Sequence, residues 1–123
     1  KLAKIIFSDT KERLWLESLI HPIISKRLIE ELKKNINEPI VIIVIPLLFE
    51  VGLTNLCSEI WVVNCTEKQQ YERLMKRDLL SQKEAKQRIQ AQWSLSKKIE
   101  LADQVIENSG ELNNWIDQIE NLL

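Results

Sequence analysis

A short segment after an apolar run combines residue types that could line a ligand pocket. It consists of Pro46, Leu47, Leu48, Phe49 and Glu50. Pro46 would end the preceding strand, the three large apolar side chains would line a pocket mouth, and Glu50 would hold a polar part of a ligand. The alternative is a hydrophobic turn that packs beneath the next helix. Residue types alone leave both interpretations open.

Cationic side chains form a second candidate site. They lie across two short predicted helices and are Arg73, Lys76, Arg77, Lys83, Lys86 and Arg88. Guanidinium groups bind phosphate oxygens bidentately and stabilise charge during phosphoryl transfer, so the pair of helices is a candidate lid over phosphates. Arg88 and Gln92, four residues apart, would share a helix face. A solvated cationic face is the alternative.

Two shorter motifs carry weaker signals. His21 and Pro22 lie within a helical apolar stripe, where Pro22 would kink or restart the helix. The kink is either structural or exposes His21 and backbone groups to a ligand. Asn108, Ser109 and Gly110 follow the last predicted strand and form either a plain turn or a loop beside a nucleotide base.

The elements that must position these residues alternate between strand and helix. Strands are predicted at 40–45, 59–65 and 103–107, and helix starts at Asp9 or Thr10, Thr66 or Glu67, Ser81, and Ser94 or Ser96. A last helix would carry Leu112, Trp115, Ile116, Ile119 and Leu122 on one face. The strand at 40–45 is apolar on both faces and must be covered on both. The predicted fold is therefore α/β, with three α/β/α layers around a parallel sheet.

Composition narrows the classes of function. The 123 residues are 45% apolar and 28% charged with a net charge of -1, which predicts one soluble domain without non-specific affinity for nucleic acid. No apolar run approaches the roughly 18 residues of a membrane span. Cys57 and Cys65 lack metal-ligand spacing and fit reduced thiols in the cytoplasm, and no metal site is predicted. With only Gly52 and Gly110, the chain contains neither a G-x-x-x-x-G-K-[ST] loop nor a G-x-G-x-x-G fingerprint.

Taken together, five segments, in the same order along the chain, resemble the dephospho-CoA kinase family. Its members are P-loop kinases of the nucleoside-monophosphate-kinase type. The pieces are Ile5-Ile6-Phe7-Ser8-Asp9, Leu19-Ile20-His21-Pro22-Ile23-Ile24, Pro46-Leu47-Leu48-Phe49-Glu50, Arg77-Asp78 with Glu84-Ala85 and Arg88-Ile89-x-x-Gln92, and Ala102-Asp103-x-Val105-Ile106-x-Asn108-Ser109-Gly110. The third piece is the most specific. Val44 stands where many members have aspartate, but others are apolar there.

The resemblance implies ATP-dependent phosphorylation of the 3′-hydroxyl of dephospho-CoA, the last step of coenzyme A synthesis. Arg77 and Arg88 would act in a lid that spans about residues 66–101. The implied dephospho-CoA-binding residues are His21, Pro22, Pro46, Leu47, Leu48, Phe49 and Glu50, and the implied ATP-binding residues are Gln92, Asn108, Ser109 and Gly110.

One departure from the family is an absence. Members begin with a first strand, a P-loop of the form G-x-T-G-G-I-x-S-G-K-[ST], and a D-A-D segment with the expected base. Lys1 aligns past all of these. We therefore expect residues 1–123 to be the C-terminal portion of a single, incomplete P-loop kinase domain, inactive alone and lacking most of the ATP–Mg²⁺ site. There are two alternatives. The chain could belong to a P-loop kinase for another nucleotide, or it could be a non-catalytic relic that kept the substrate pocket.

Overall fold

The computed structural model describes residues 2–110 and 114–122 in two compact units, one ending at Leu53 and one beginning at Thr54. The first unit contains α1 (Leu2–Ser8) and α2 (Thr10–Lys34). Asp9 caps α2, because its Oδ1 accepts hydrogen bonds from the backbone N–H groups of Lys11 at 2.8 Å and Glu12 at 3.4 Å. The predicted cap is therefore confirmed.

Helix α2 continues through Pro22, so of the two predicted effects of this proline, a kink or a restart, the restart does not occur. Proline removes one N–H donor and fixes its own backbone, but hydrogen bonds on both sides of it belong to the same helix. Beyond the helix, Asn35 to Pro39 form the predicted loop.

The predicted strand at 40–45 does not form among the described residues. A strand requires a hydrogen-bonded neighbour, and the sheet of the described chain contains only two strands, both in the second unit. Ile42 and Val44 are 82% and 87% exposed. The run is apolar as predicted, but burying it would require neighbouring strands or helices that do not cover it among the described residues.

The candidate segment after this run is a single helical turn closed by a glycine. The N–H of Val51 donates to the carbonyl of Leu47, and the N–H of Leu53 donates to Leu48. Gly52 donates to Phe49 and has a φ of +68°, as the C′ residue of a Schellman motif does. One of the two glycines therefore ends the segment that carries Glu50.

The second unit is built around a parallel pair of strands. Its elements are a 3₁₀ turn (Thr54–Leu56), β1 (Trp61–Asn64), α3 (Glu67–Asp78), α4 (Gln82–Gln90), α5 (Leu95–Ile99), β2 (Gln104–Glu107) and α6 (Asn114–Glu120). The strands pair in register from Trp61 with Gln104 to Asn64 with Glu107. The α/β class and the parallel sheet are confirmed.

Asp103 anchors the start of this ladder. Its carboxylate accepts a hydrogen bond from the N–H of Ile60 at 2.7 Å, and its own N–H donates to the carbonyl of Ile60 at 2.9 Å. Val62 of β1 and Ile106 of β2 are buried. Asp103, the acid before β2, therefore has a structural role in strand pairing.

Helix starts in the second unit match the sequence closely. Thr66 and Ser81 each form a capping box, with Gln69 and Glu84 as the returning side chains, and Ser94 caps α5. In each box a hydroxyl and a side-chain acceptor satisfy backbone donors that the first turn leaves without helical partners. Of the predicted apolar face of the last helix, Leu112 lies outside the described residues.

The connection between α3 and α4 contains a strained residue. Leu79 is the C-cap of α3 and has a φ of +52°. Its N–H and that of Leu80 both donate to the carbonyl of Met75, so the helix end is well satisfied. A side chain in this left-handed conformation costs about 1–2 kcal/mol, and Leu79, at 91% exposed, gains little packing in return.

We predict that Leu79→Gly stabilises the protein by about 0.5–1 kcal/mol, because glycine adopts a positive φ without the steric cost. Arg73→Gly is the matched control, since Arg73 is exposed in the middle of α3 and glycine there should destabilise by about 1 kcal/mol. Urea unfolding midpoints measure both. Destabilisation by Leu79→Gly as large as that by the control would contradict the strain.

Candidate functional site

In the first unit, the segment Pro46–Glu50 presents a turn with a half-buried carboxylate. Leu47, Leu48 and Phe49 are half-buried, as is Glu50, whereas Pro46 is exposed. The Schellman closure at Gly52 fixes the backbone of this turn, so its side chains are held by hydrogen bonds rather than by a strand. A fixed acidic side chain among large apolar ones can accept a hydrogen bond from a ligand's polar group.

His21 and Pro22 occupy the middle of α2. His21 is half-buried and Pro22 is exposed. Because Pro22 has no N–H, the helix carbonyl that this group would have bound lacks its usual intrahelical donor. These two features are compatible with ligand binding, and they also fit a structural proline.

Arg77 and Arg88, the two arginines of the predicted lid, meet at one carboxylate in the second unit. Asp78, the last residue of α3, accepts from Nε and Nη2 of Arg77 at 2.8 and 3.2 Å. Nη1 of Arg88, on α4, donates to Oδ2 of Asp78 at 2.5 Å. The side chains of Arg88 and Asp78 are each 24% exposed, whereas that of Arg77 is 74% exposed. One carboxylate therefore binds two guanidinium groups where α3 and α4 meet, and these two helices are called the hairpin below.

This ion cluster perturbs acid–base equilibria in the expected directions. Hydrogen bonds from Arg77, followed by the charges of Arg77 and Arg88, hold the pKa of Asp78 below its ordinary value, against a partial desolvation. The hydrogen bond to Asp78 likewise raises the pKa of Arg77. The Asp78 carboxylate therefore stays ionised and the Arg77 guanidinium stays charged throughout the physiological range.

The remaining cations of the two helices fit the solvated alternative. Arg73, Lys76, Lys83 and Lys86 are all exposed. Exposed ion pairs and cations of this kind contribute little to stability. The cationic run thus separates into a paired centre at Arg77 and Arg88 and a surface remainder.

Gln92 does not share a helix face with Arg88, because α4 ends at Gln90. Its N–H donates to the carbonyl of Ile89, and its side-chain oxygen accepts from Nζ of the buried Lys98 at 3.5 Å. Lys97 places its ammonium 3.4 Å from the ring centroid of Trp93. Gln92 is therefore part of a contact between the end of the hairpin and α5.

The loop after β2 is fastened at the carboxyl ends of both strands. The N–H of Asn108 donates to the carbonyl of Asn64 at 2.8 Å, and Nε2 of Gln69 donates to the carbonyl of Ser109 at 2.8 Å. Glu107 accepts hydrogen bonds from the Ser109 hydroxyl and from Nδ2 of Asn64. These two bonds lower the pKa of Glu107, with Ser109 as the larger cause.

An open groove lies beside this loop. Its volume is about 260 Å³, and it is lined by Val63, Ile106, Asn108, Trp115 and Ile119. Apolar walls with one amide at the rim suit a flat, weakly polar group such as a heterocyclic base. Gly110, the last residue of the predicted nucleotide-binding motif, is exposed.

Three residues in these clusters had no predicted role. Gln69 could have been found from its position in the T-x-x-Q capping box, and Asp78 from its place between two arginine-bearing helices. Glu107 had no comparable signal for its contact with Asn64, because that contact depends on strand pairing. Among residues 2–110 and 114–122, no group of three His, Cys, Asp or Glu side chains could hold a metal ion.

Comparison with known proteins gives a consistent family assignment. The model of the dephospho-CoA kinase family matches residues 1–114. The chain is 53% identical over 115 residues to a dephospho-CoA kinase of Parasynechococcus marenigrum (strain WH8102), covering 94% of the chain and 58% of that protein. It is 52% identical over 123 residues to a dephospho-CoA kinase of Synechococcus sp. (strain CC9902), covering 100% and 62%. The chain thus spans about three-fifths of these relatives.

Solved structures agree with the fold. The chain is similar to the crystal structure of TT1252 from Thermus thermophilus, with a TM-score of 0.78 and 32% identity over 98% of this chain and 63% of the other. A dephospho-CoA kinase from Campylobacter jejuni matches with a TM-score of 0.60 and 27% identity at the same coverages. No described helix combines the length and apolarity needed to cross a membrane.

The lowered pKa of Asp78 predicts an acid-sensitive hairpin. Because the folded pKa lies below the ordinary value of 3.8, the ion cluster stabilises the fold fully above that value and loses its effect as pH falls through the folded pKa. Carboxyl NMR titration of the complete protein should find Asp78 below 3.8.

In the same titration, Arg77→Gln should raise the pKa of Asp78 more than Arg88→Gln does, because Arg77 is the larger cause. An Asp78 that titrates at its ordinary value in the unmodified protein would rule out the cluster in solution.

Proposed function

Because the chain belongs to the dephospho-CoA kinase family, we propose that it carries the acceptor-binding and lid parts of an enzyme that phosphorylates dephospho-CoA with ATP. The 3′-hydroxyl oxygen of the acceptor ribose would attack the γ-phosphorus of ATP, giving coenzyme A and ADP. The observation that carries this proposal is the convergence of Arg77 and Arg88 at Asp78. Two guanidinium groups and one carboxylate leave a net positive charge, as a phosphoryl-binding lid requires.

The acceptor-binding role is proposed for the first unit. Glu50 would accept a hydrogen bond from dephospho-CoA, while Leu47, Leu48 and Phe49 would contact its apolar surface. His21, half-buried in α2, would donate a hydrogen bond to the same ligand or accept one from it. It lies beside Pro22, which has no backbone N–H. Pro46 would fix the direction in which the chain enters the turn.

The nucleotide-binding role is proposed for the loop after β2 and the end of the hairpin. Asn108, Ser109 and Gly110 would border the adenine of ATP, with the base in the adjoining groove and Gln92 near the hairpin end. Gln69 holds the loop backbone by its bond to Ser109, which favours a preformed surface.

The phosphate-binding loop and the base are not provided by this sequence. Because its two glycines are Gly52 and Gly110, these 123 residues contain no P-loop motif, and the described part offers no cluster for a metal ion. We therefore assign the P-loop, the base and the protein ligands of Mg²⁺ to residues outside this chain, and expect the 123 residues alone to be inactive. We also propose a cytoplasmic location, where the unlinked thiols Cys57 and Cys65 would stay reduced.

The direct test is turnover of the complete protein that carries this chain. Purified protein with ATP and Mg²⁺ should convert dephospho-CoA to coenzyme A, measured by chromatography, and dephospho-CoA should raise its thermal midpoint because it binds the native state. AMP and CMP should raise the midpoint much less. Turnover of AMP or CMP in place of dephospho-CoA would indicate a kinase for another nucleotide, and ligand binding without any turnover would indicate a non-catalytic binding protein.

We predict that Glu50→Ala in the complete protein raises the KM for dephospho-CoA about tenfold, because a hydrogen bond to a charged group is lost. The KM for ATP should change little. Glu38→Ala is the matched control, since Glu38 is an exposed acid in the loop after α2 and should leave both constants unchanged. An unaltered KM for dephospho-CoA in Glu50→Ala would contradict the acceptor-binding role.

A further inference from the structure

Asp78 holds a position from which it controls the geometry of the lid. It is the last residue of α3, and its Oδ2 accepts from Arg77 of the same helix and from Arg88 of the next. The bond to Arg88 joins residues ten apart in sequence across the turn. It therefore links the direction of α4 to the end of α3 at the point where Leu79 adopts its left-handed conformation.

We propose that Asp78 is a positioning residue for phosphoryl transfer, which orients the guanidinium of Arg88 toward the transferred group. This inference depends on the proposed function, since Arg88 must itself act on the phosphoryl group. Asp78 need not touch either substrate. It restricts the many rotamers that an arginine side chain would otherwise sample, and a group oriented before reaction stabilises charge without reorganising.

The chemistry of the contact supports positioning over simple neutralisation. The charge-assisted hydrogen bond from Nη1 of Arg88 sets the distance of that guanidinium from Asp78 and restricts the directions in which it can point. The second oxygen of the Asp78 carboxylate is occupied by Nε of Arg77, which fixes the rotation of the carboxylate itself. Because the cluster contains two cations for one anion, it keeps a net positive charge for phosphate oxygens.

The side chain of Arg88 is largely enclosed, and its pairing with Asp78 is one of the contacts that orient it. In α4 the buried residue is Ala85, which is small and lies one turn before Arg88. Short helices such as α3 and α4 are marginal without tertiary contacts. The ion pair at 2.5 Å, with both side chains 24% exposed, is thus a constraint on where Arg88 lies.

A double-mutant cycle on the complete protein tests this role. Arg88→Ala should lower kcat about 1,000-fold, as loss of a transition-state arginine does. Asp78→Asn keeps the shape of the side chain but places either an amide N–H₂ group or an uncharged amide oxygen, a weaker acceptor than a carboxylate, against Arg88. This variant should lower kcat about 10- to 100-fold. The KM values for ATP and dephospho-CoA should change less than kcat. Asp78→Glu should recover part of the lost turnover.

The decisive measurement is Asp78→Asn in the Arg88→Ala background. If Asp78 acts through Arg88, its substitution there should change kcat by less than about twofold. Full additivity, as a general loss of folding would give, overturns the inference, and so does a kcat that is unchanged or raised in the single variant Asp78→Asn.

A matched control separates charge from position. Glu72→Gln removes the same charge from α3, but Glu72 is exposed and lies 3.9 Å from Lys68 in a weak pair, so kcat should stay within about twofold. An equal loss in Glu72→Gln would show a general charge effect and overturn the role of Asp78.

If the unmodified protein does not phosphorylate dephospho-CoA, the proposed function fails. If it does and Arg88→Ala retains full kcat, the lid role of Arg88 fails, and the positioning role fails with it.

Discussion

The parallel ladder between β1 and β2 is the constraint on which the second unit depends. Parallel strands cannot be joined by a tight turn, so the chain must leave the sheet after Asn64 and return at Asp103 through a long crossover. The crossover contains α3, α4 and α5, which include the arginine-bearing hairpin. Because both strands end at the same edge, the loop after β2 meets the start of α3, and Gln69 joins them with one hydrogen bond.

Charge and capping stabilise the hairpin where apolar burial is small. Among the described residues, Ala85 is the buried apolar side chain of α3 and α4, and the surrounding surface is largely polar. Two capping boxes, at Thr66 and Ser81, define where the helices begin, and Asp78 joins them by ion pairs. An element held mainly by exchangeable polar contacts can open and close at low energetic cost, which suits a lid.

The site was predictable where it depends on local sequence. Asp9, Thr66, Ser81 and Ser94 cap the helices as their side-chain chemistry predicts, because capping involves only neighbours three residues away. Gln92 was placed on the helix face of Arg88, but α4 ends at Gln90, and helix ends are set by tertiary contacts as much as by propensity. Asp78 and Glu107 also have partners on other elements, Arg88 of α4 and Asn64 of β1, and no local pattern contains those two contacts.

By itself, the sequence determined the alternation of strands and helices, the family, and the residue types that could handle phosphate, since these follow from periodicity, capping and motif order. It also determined that Ile40–Ile45 is apolar, but not that this segment would pair. Only the tertiary structure decided that two strands form the sheet of the described residues, that two arginines share one carboxylate, and that Leu79 takes a glycine-like conformation. The physical reason is that strand ladders and ion clusters join residues far apart in sequence, and their energies depend on distances that only the folded chain sets.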